Sequence, residues 1–307
     1  MTPNVSVIAI TGATGFVGQA VLEQAAAQGI AIRALARQPQ PPRAGVEWVE
    51  GNLDDTAALA RLVDRAEAVI HIAGVVNAAD TAGFTAGNVA GTLNVVTAAM
   101  LAGTLRFVQV SSLSAREPQL SVYGASKLKG EKVVMASPLD WTVVRPPAVY
   151  GPRDREMLEL FRFARTGIVP LPPHGKMAAI HVDDLARLLL ALVPGGDEVS
   201  HKVFEPDDAH PGGWTHKSFA RAIGWAVGKR ITPLPLPAFA LRAAARGDRL
   251  LRRAAAKLTE DRVGYMCHPD WTVREEMRPP VARWVPEIGT REGLKATAKW
   301  YREAGWL

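Results

Sequence analysis

Two hydrophobic patterns take turns along the first half of the chain. "VSVIAI" (residues 5–10) is a short unbroken apolar run, the pattern of a strand buried on both faces. An amphipathic segment follows from Phe16 to Gln28 and stops at Gly29, a residue suited to the C-terminal cap of a helix. The exchange then repeats. "AIRAL" (31–35), "VEWVE" (46–50), "AVIHI" (68–72), "RFVQVS" (106–111) and "WTVVR" (141–145) read as strands, with helices around 55–65, 88–102 and 122–136. Strands alternating with helical crossovers predict an α/β fold on a doubly wound parallel sheet. Ligands of such sheets bind beyond the carboxyl ends of the strands, so the loops leaving each strand become the candidates for chemistry.

Past Pro146 the regularity weakens, and Pro and Gly interrupt the chain at "RPPAVYGP", "VPLPPHGK", "LVPGGD" and "EPDDAHPGGW". One clear helix, "VDDLARLLLALV" (182–193), returns to the sheet with Asp183 or Asp184 near its positive end. The expected division is a nucleotide-binding domain over 1–205, with substrate-lobe insertions after 150, and a smaller, mostly helical lobe over 206–307. No internal repeat is visible.

Composition narrows the class. At 307 residues, 48% hydrophobic and 21% charged, the chain is an ordinary globular protein with a large core. Its single cysteine, Cys267, cannot form an internal disulfide and has no Cys or His at zinc spacing, so no metal is expected. The N-terminus has no basic lead and no apolar run of signal length, and no stretch, "LLLALV" (188–193) included, comes close to the roughly 20 apolar residues of a membrane span. A cytoplasmic location without membrane contact is the expectation. The formal charge of +6, from 36 basic against 30 acidic residues, is too small to imply nucleic acid and suits an anionic ligand. The late arginines at 242, 246, 249, 252, 253 and 262 read as the solvated face of a helix.

"TGATGFVG" sets Gly12, Gly15 and Gly18 directly after the first strand and at the opening of the first helix. Glycine is needed there for a tight turn, close approach of the backbone to a pyrophosphate, and helix-to-strand packing. The amides that open the helix, in the stretch of Thr14, Phe16 and Val17, can then hold phosphates. Strand, glycine turn and helix in this order make a Rossmann-type site for a dinucleotide. An acid about 20 residues further on marks a free ribose 2'-hydroxyl; here Ala36 holds that place, Arg37 follows, and Arg33 lies within the strand. Arginine suits a 2'-phosphate, so NADP is expected, with NAD as the alternative.

In "SVYGASKLKG" (121–130) Tyr123 stands four residues before Lys127 with no intervening proline, so a helix places both on one face. A phenol holds its proton to about pH 10, and a neighbouring ammonium favours the phenolate. The pair is a candidate acid and base, although its spacing alone also suits two ordinary surface residues.

With these motifs placed, the sequence resembles the extended short-chain dehydrogenase/reductases, the NAD(P)-dependent epimerase/dehydratase group, over nearly its whole length. "TGATGFVG" looks like that family's cofactor turn. "GNLDD" (51–55) is similar to its adenine-contacting loop, with Asn52 where an Asp is usual and Leu53 beside it. "HIAG" (71–74), with Ala73 and Gly74, resembles the motif after the fourth strand, and "NVAGTLNVVTAA" from Asn88 the next helix. "VSS" (110–112), "YGASK", "RPPAVYGP" with Pro146, and "IHVDDLA" complete the series.

The resemblance implies Ser-Tyr-Lys catalysis. Tyr123 would give a proton to the substrate oxygen in reduction, and Lys127 would lower the phenol pKa and hold the nicotinamide ribose. Ser112 would orient the reacting oxygen, with Ser111 and Ser114 as neighbours able to take that place. Pro147, and the short interval from Ser112 to Tyr123, bring the chain nearer the ketone- and steroid-type reductases than the sugar-nucleotide epimerases. The expectation is an oxidoreductase interconverting a secondary alcohol and a ketone on a small to medium, partly apolar substrate. "VPLPPHGKMAAI" and "PLPLPAFAL" are its expected pocket walls. A sugar-nucleotide epimerase or dehydratase, with the late arginines on a pyrophosphate, and a non-catalytic NADP-binding sensor or complex subunit are the alternatives. Homodimers are frequent in the family.

The remaining candidates have plainer readings. His71 and His181 suit packing and backbone contacts, and His201, His210 and His216 lack metal-ligand spacing. Cys267 reads as an inert thiol, Asn88 as a support for the fourth-strand loop or a relay to Lys127, and the final Trp and Tyr residues as packing.

Overall fold

A computed structural model describes residues 7–78, 80–252, 256 and 258–307. Val5 and Ser6 of the first expected strand, and Arg253 of the late arginines, lie outside the described residues. The six expected strands are present as β1 (Val7–Thr11), β2 (Ala31–Ala36), β3 (Val46–Glu50), β4 (Ala68–His71), β5 (Arg106–Val110) and β6 (Asp140–Val144). A seventh, β7 (Lys202–Phe204), pairs with β6. Three residues are too short for any hydrophobic period, which is why the sequence did not reveal it.

All strands of this sheet run parallel in the order β7-β6-β5-β4-β1-β2-β3. The chain therefore winds outward from β1 to β3, then restarts on the other side of β1 with β4. That reversal opens a crevice at the carboxyl ends of β1 and β4.

One face of the sheet is covered by α1 (Phe16–Ala27) and the other by α2 (Thr56–Val63), α3 (Thr81–Ala102) and α4 (Val122–Met135). α1 ends where Gly29 takes φ +67°, a left-handed conformation that glycine adopts freely. Asp55 accepts from the Ala58 amide to cap α2, and Ser121 accepts from the Gly124 amide to cap α4. α3 starts earlier than its expected Asn88 because Asp80 caps a first turn at Gly83, and a π-helical turn at Ala86–Ala90 joins the two parts. Its 22 residues are long and apolar enough to span a membrane, contrary to the expectation that no stretch comes close. In this fold Phe84, Asn88, Val95, Val96 and Ala99 are buried within the protein, while Leu93, Met100 and Leu101 of the same helix are exposed.

After β6 come α5 (Leu158–Thr166) and α6 (Val182–Ala191), the latter packed against α1 through Leu185, Leu188 and Leu189. Burying such a leucine contributes about 1.5–3 kcal/mol. The C-terminal part is helical, with α7 (His216–Val227), α8 (Ala238–Arg252), α9 (Glu260–Met266) and α10 (Thr290–Glu303). A second core joins Tyr150, Phe161, Trp214, Phe219, Leu294 and Tyr301. The terminal aromatic residues pack, as expected: Tyr301 is fully buried and stacks on Trp306.

The two parts are tied by buried charge. Ser111 Oγ donates to Glu131, whose carboxylate also accepts two bonds from Arg145. Arg145 and Arg116 both face the fully buried Glu205 carboxylate, and Arg116 reaches the carbonyls of Asp270 and Thr272.

Candidate active site

The glycine turn is shaped by close backbone contact. Gly12 sits at φ +76°, and a Cβ there would lie 2.7 Å from the Ala73 amide nitrogen, so the turn presses directly on the loop after β4. A Cβ on Gly18 would fall 2.2 Å from the Gly12 carbonyl oxygen. No side chain caps α1 at Gly15, and its first turn carries no acid. Thr14 and Gly15 are exposed, while Phe16 and Val17 are half-buried against the core. The turn is thus a backbone cradle with its helix amides free for an anion.

The two arginines of β2 have different positions. Arg33 is held by Glu47 at 2.8 Å and by carbonyls of Arg61, Leu62 and Asp64 at the end of α2. Arg37 is exposed directly beyond β2 and forms no hydrogen bond or ion pair among the described residues. Asn52 turns onto its own loop, accepting from the Asp54 amide at 2.7 Å. The Leu53 carbonyl accepts from Asn94, and the Leu53 side chain lies where a Cβ on Gly91 would intrude, which fixes this loop against α3.

His71 locks the base of the crevice. Its Nδ1 bonds Thr11 Oγ1 at 2.7 Å and its Nε2 bonds Thr92 Oγ1 at 3.0 Å. Burial, helped by the charge of Lys127, pushes its pKa down to about 3, so the ring is neutral and structural. Asn88 takes the support role: it bonds both the amide and carbonyl of Val75 and donates to Ser126 Oγ. That hydroxyl in turn donates to the Tyr123 carbonyl. A Cβ on Gly74 would lie 3.4 Å from Lys127 Nζ, which brings this loop beside the lysine.

Lys127 is buried and donates from Nζ to the Val110 carbonyl at 2.9 Å. Burial lowers its pKa to about 8 against the opposing pull of Glu131. Ser112 begins the turn after β5, sharing a 2.8 Å bond between its Oγ and that of Ser114. Ser111 points elsewhere, into the Glu131 network. The Pro146 carbonyl accepts from the Leu113 amide, joining the loop after β6 to the serine turn. Burial raises the Tyr123 pKa, while hydrogen bonds from Ser112 and Ser114 and the charge of Arg262 pull it down. The arrangement sets a phenol near the Ser112 and Ser114 hydroxyls, with an ammonium one turn further along the same helix.

Arg262 comes from α9, far away in sequence. It pairs with Glu156 at 2.6 Å, and its buried Nε has no hydrogen-bond partner among the described residues. It was legible in the sequence only as one of the late arginines; the others described lie on α8. The Tyr123 ring lies between Phe84, at 6.1 Å, and Tyr265, at 6.2 Å. Asp261 accepts from the Val122 and Tyr123 amides, giving α4 a second cap from the C-terminal part. Leu171–Lys176 of the expected wall "VPLPPHGKMAAI" and Pro235 of "PLPLPAFAL" line a cavity of about 380 Å³ together with Thr215–Lys217, and none of the Ser112, Tyr123 and Lys127 side chains lines it. His216 and His201 bond the carbonyls of Pro173 and Leu139. No cluster of metal-ligating side chains exists among the described residues.

A glycine turn at the sheet's switch point, and a phenol and buried lysine on α4 with the lysine bonded to the end of β5, suit a dinucleotide-dependent enzyme of the oxidoreductase type. The chain belongs to the NAD dependent epimerase/dehydratase family, whose sequence signature matches residues 8–204. It is 39% identical to a ceramide reductase of Caulobacter vibrioides, over 98% of this chain and 96% of that one. It is 28% identical to a 2-alkyl-3-oxoalkanoate reductase of Stenotrophomonas maltophilia, over 94% of this chain and 97% of that one. In fold it is similar to the Bordetella bronchiseptica enzyme WbmG in complex with NAD, with a TM-score of 0.74 at 20% identity, covering 100% of this chain and 97% of that one.

Proposed function

We propose that this enzyme is an NADPH-dependent reductase of a long-chain lipid ketone of the ceramide type, acting through Ser112, Tyr123 and Lys127. The observation that carries the reading is the meeting of three groups at the end of β5: Ser112 opens the turn that follows it, Lys127 Nζ bonds its last carbonyl at Val110, and Tyr123 stands one turn before Lys127 on α4. The likeness to a ceramide reductase along almost the whole chain supports the substrate class.

The residues present fit the cofactor. Gly12, Gly15 and Gly18 leave room for the pyrophosphate, with the amides near Phe16 and Val17 as donors. Asn52 and Leu53 border the adenine side, Ala73, Gly74 and Pro146 the nicotinamide side. Arg37, unpaired and with Ala36 in place of an acid, suits a 2'-phosphate, which favours NADP over NAD. When bound, the cofactor supplies the hydride.

The protein's own groups supply positioning and the proton. Ser112 donates to the ketone oxygen and turns it toward Tyr123, with Ser114 holding the Ser112 hydroxyl in place. Tyr123 then gives its proton to the developing alkoxide. Lys127, charged below about pH 8, stabilises the phenolate that remains and offers its ammonium to the ribose hydroxyls. Phe84 and Tyr265 shield this transfer from water.

Calorimetric titration with NADPH and NADH tests the cofactor assignment. NADPH should bind more tightly, and Arg37→Ala should weaken it by about ten- to a hundredfold, the worth of one hydrogen bond to a charged group, while leaving NADH unchanged. The substrate reading is tested by following NADPH consumption with a keto-ceramide and with UDP-glucose. Consumption with the lipid alone is expected, and consumption with neither would defeat the proposal.

A further inference from the structure

α8 has a shallow seat in the fold. Leu241 and Ala245 pack with Val263 of α9 in a small cluster of their own. The other side of the helix is bare: Phe239, Leu250 and Leu251 are 75%, 82% and 87% exposed. Phe239 and Leu250 are about three helical turns apart and share one line, with Arg246 on that line between them and Arg242 and Arg249 in the adjacent row. Arg246 pairs with Glu260 and Arg252 with Asp248. Arg242 and Arg249 form no ion pair or hydrogen bond among the described residues.

Exposed apolar side chains interspersed with arginines, two of which have no ion pair among the described residues, match the chemistry of a lipid surface, with apolar side chains at the acyl boundary and guanidinium groups on headgroup phosphates. A second copy of this chain fits poorly, because two such faces would bring rows of arginine together.

We propose that α8 docks the protein on an anionic lipid bilayer. The proposal goes beyond the reductase reading and does not depend on it. The position of α8 gives the docking a use. The Ala256 carbonyl, just beyond the helix, accepts from Asn77 in the loop after β4. α9, on which α8 rests, carries Asp261 and Tyr265 against the start of α4 and the Tyr123 ring. The bilayer-facing helix therefore borders the candidate active site, where a lipid can pass from membrane to crevice.

Flotation of the purified full chain with vesicles tests this without any substrate. Wild type should float with phosphatidylcholine vesicles containing phosphatidylglycerol, less so at high salt, and hardly at all with phosphatidylcholine alone. The double variant Arg242→Ala/Arg249→Ala should partition about thirtyfold more weakly, at roughly fivefold per arginine. Leu250→Asp/Leu251→Asp should stay in solution. Unchanged circular dichroism and NADPH affinity would show that both variants are folded. Absence of wild-type flotation, or equal flotation of both variants, would overturn the proposal. So would a dimer in light scattering that the leucine variant dissolves while no vesicle binding occurs.

Discussion

Tyr123 sits in a setting that its spacing from Lys127 only partly conveys. The helical pairing was legible from the offset of four residues, yet the charge that lowers the phenol pKa most is that of Arg262, and Ser112 and Ser114 lower it by hydrogen bonding. Arg262, Tyr265 and Phe84 were not legible as site residues because only the folded chain brings them to Tyr123. Ser111 and Ser112 also look equivalent in sequence. They separate in the structure because alternate strand residues point to opposite faces, which sends Ser111 to Glu131 and leaves Ser112 at Ser114. Lys127 yields a pH prediction. Burial lowers its pKa to about 8, so its charge is present below that pH and lost above it. The rate of reduction should hold level from about pH 6 to 7 and fall as pH rises through about 8. A kcat/KM profile checks this, and Lys127→Met should remove the step along with most of the activity.

At the scale of elements, long segments with a clear period were read best. β1 to β6, α1, α2, α4 and α6 fall within a few residues of their expected bounds. β7 is too short to carry a period, and the first turns of α3 depend on Asp80 and a π-turn rather than on apolar spacing. The glycine turn was legible as a local motif, and Gly12 and Gly18 answer backbone demands there; the close approach of α9 to the turn before α4 was not, since it depends on the single small residue Gly264. A Cβ on Gly264 would lie 2.2 Å from the Leu120 carbonyl oxygen, closer than real Cβ atoms come. Gly264→Ala should push α9 away and loosen the Asp261 cap on α4. The expected outcome is a lower Tm together with a loss of turnover, while NADPH affinity, set by the glycine turn at the other side of the crevice, stays within about twofold. Equal losses of cofactor binding and turnover would contradict this division.

Over the whole molecule, the sheet's switch point sets the glycine turn beside the loop after β4 and the catalytic candidates, and the C-terminal part reaches Tyr123 with Arg262, Tyr265 and Asp261. The buried chain of Glu131, Arg145, Glu205 and Arg116 ties that part to the sheet. Breaking one member of such a network costs about 3–5 kcal/mol because it strands a buried charge. The fold class was legible because it rests on local periodicity; the approach of Asp261, Arg262 and Tyr265 to Tyr123 was not, because only the folded chain brings these distant residues together.

The most direct test of the central claim is mass-spectrometric measurement of the alcohol formed from a keto-ceramide and NADPH by wild type and by Tyr123→Phe. Wild type should form the alcohol, and the variant should form at least about a hundredfold less while binding NADPH as tightly. Alcohol formation at the wild-type rate by the folded variant, or none by the wild type, would contradict the assignment of Tyr123 as the proton donor of a lipid ketone reductase.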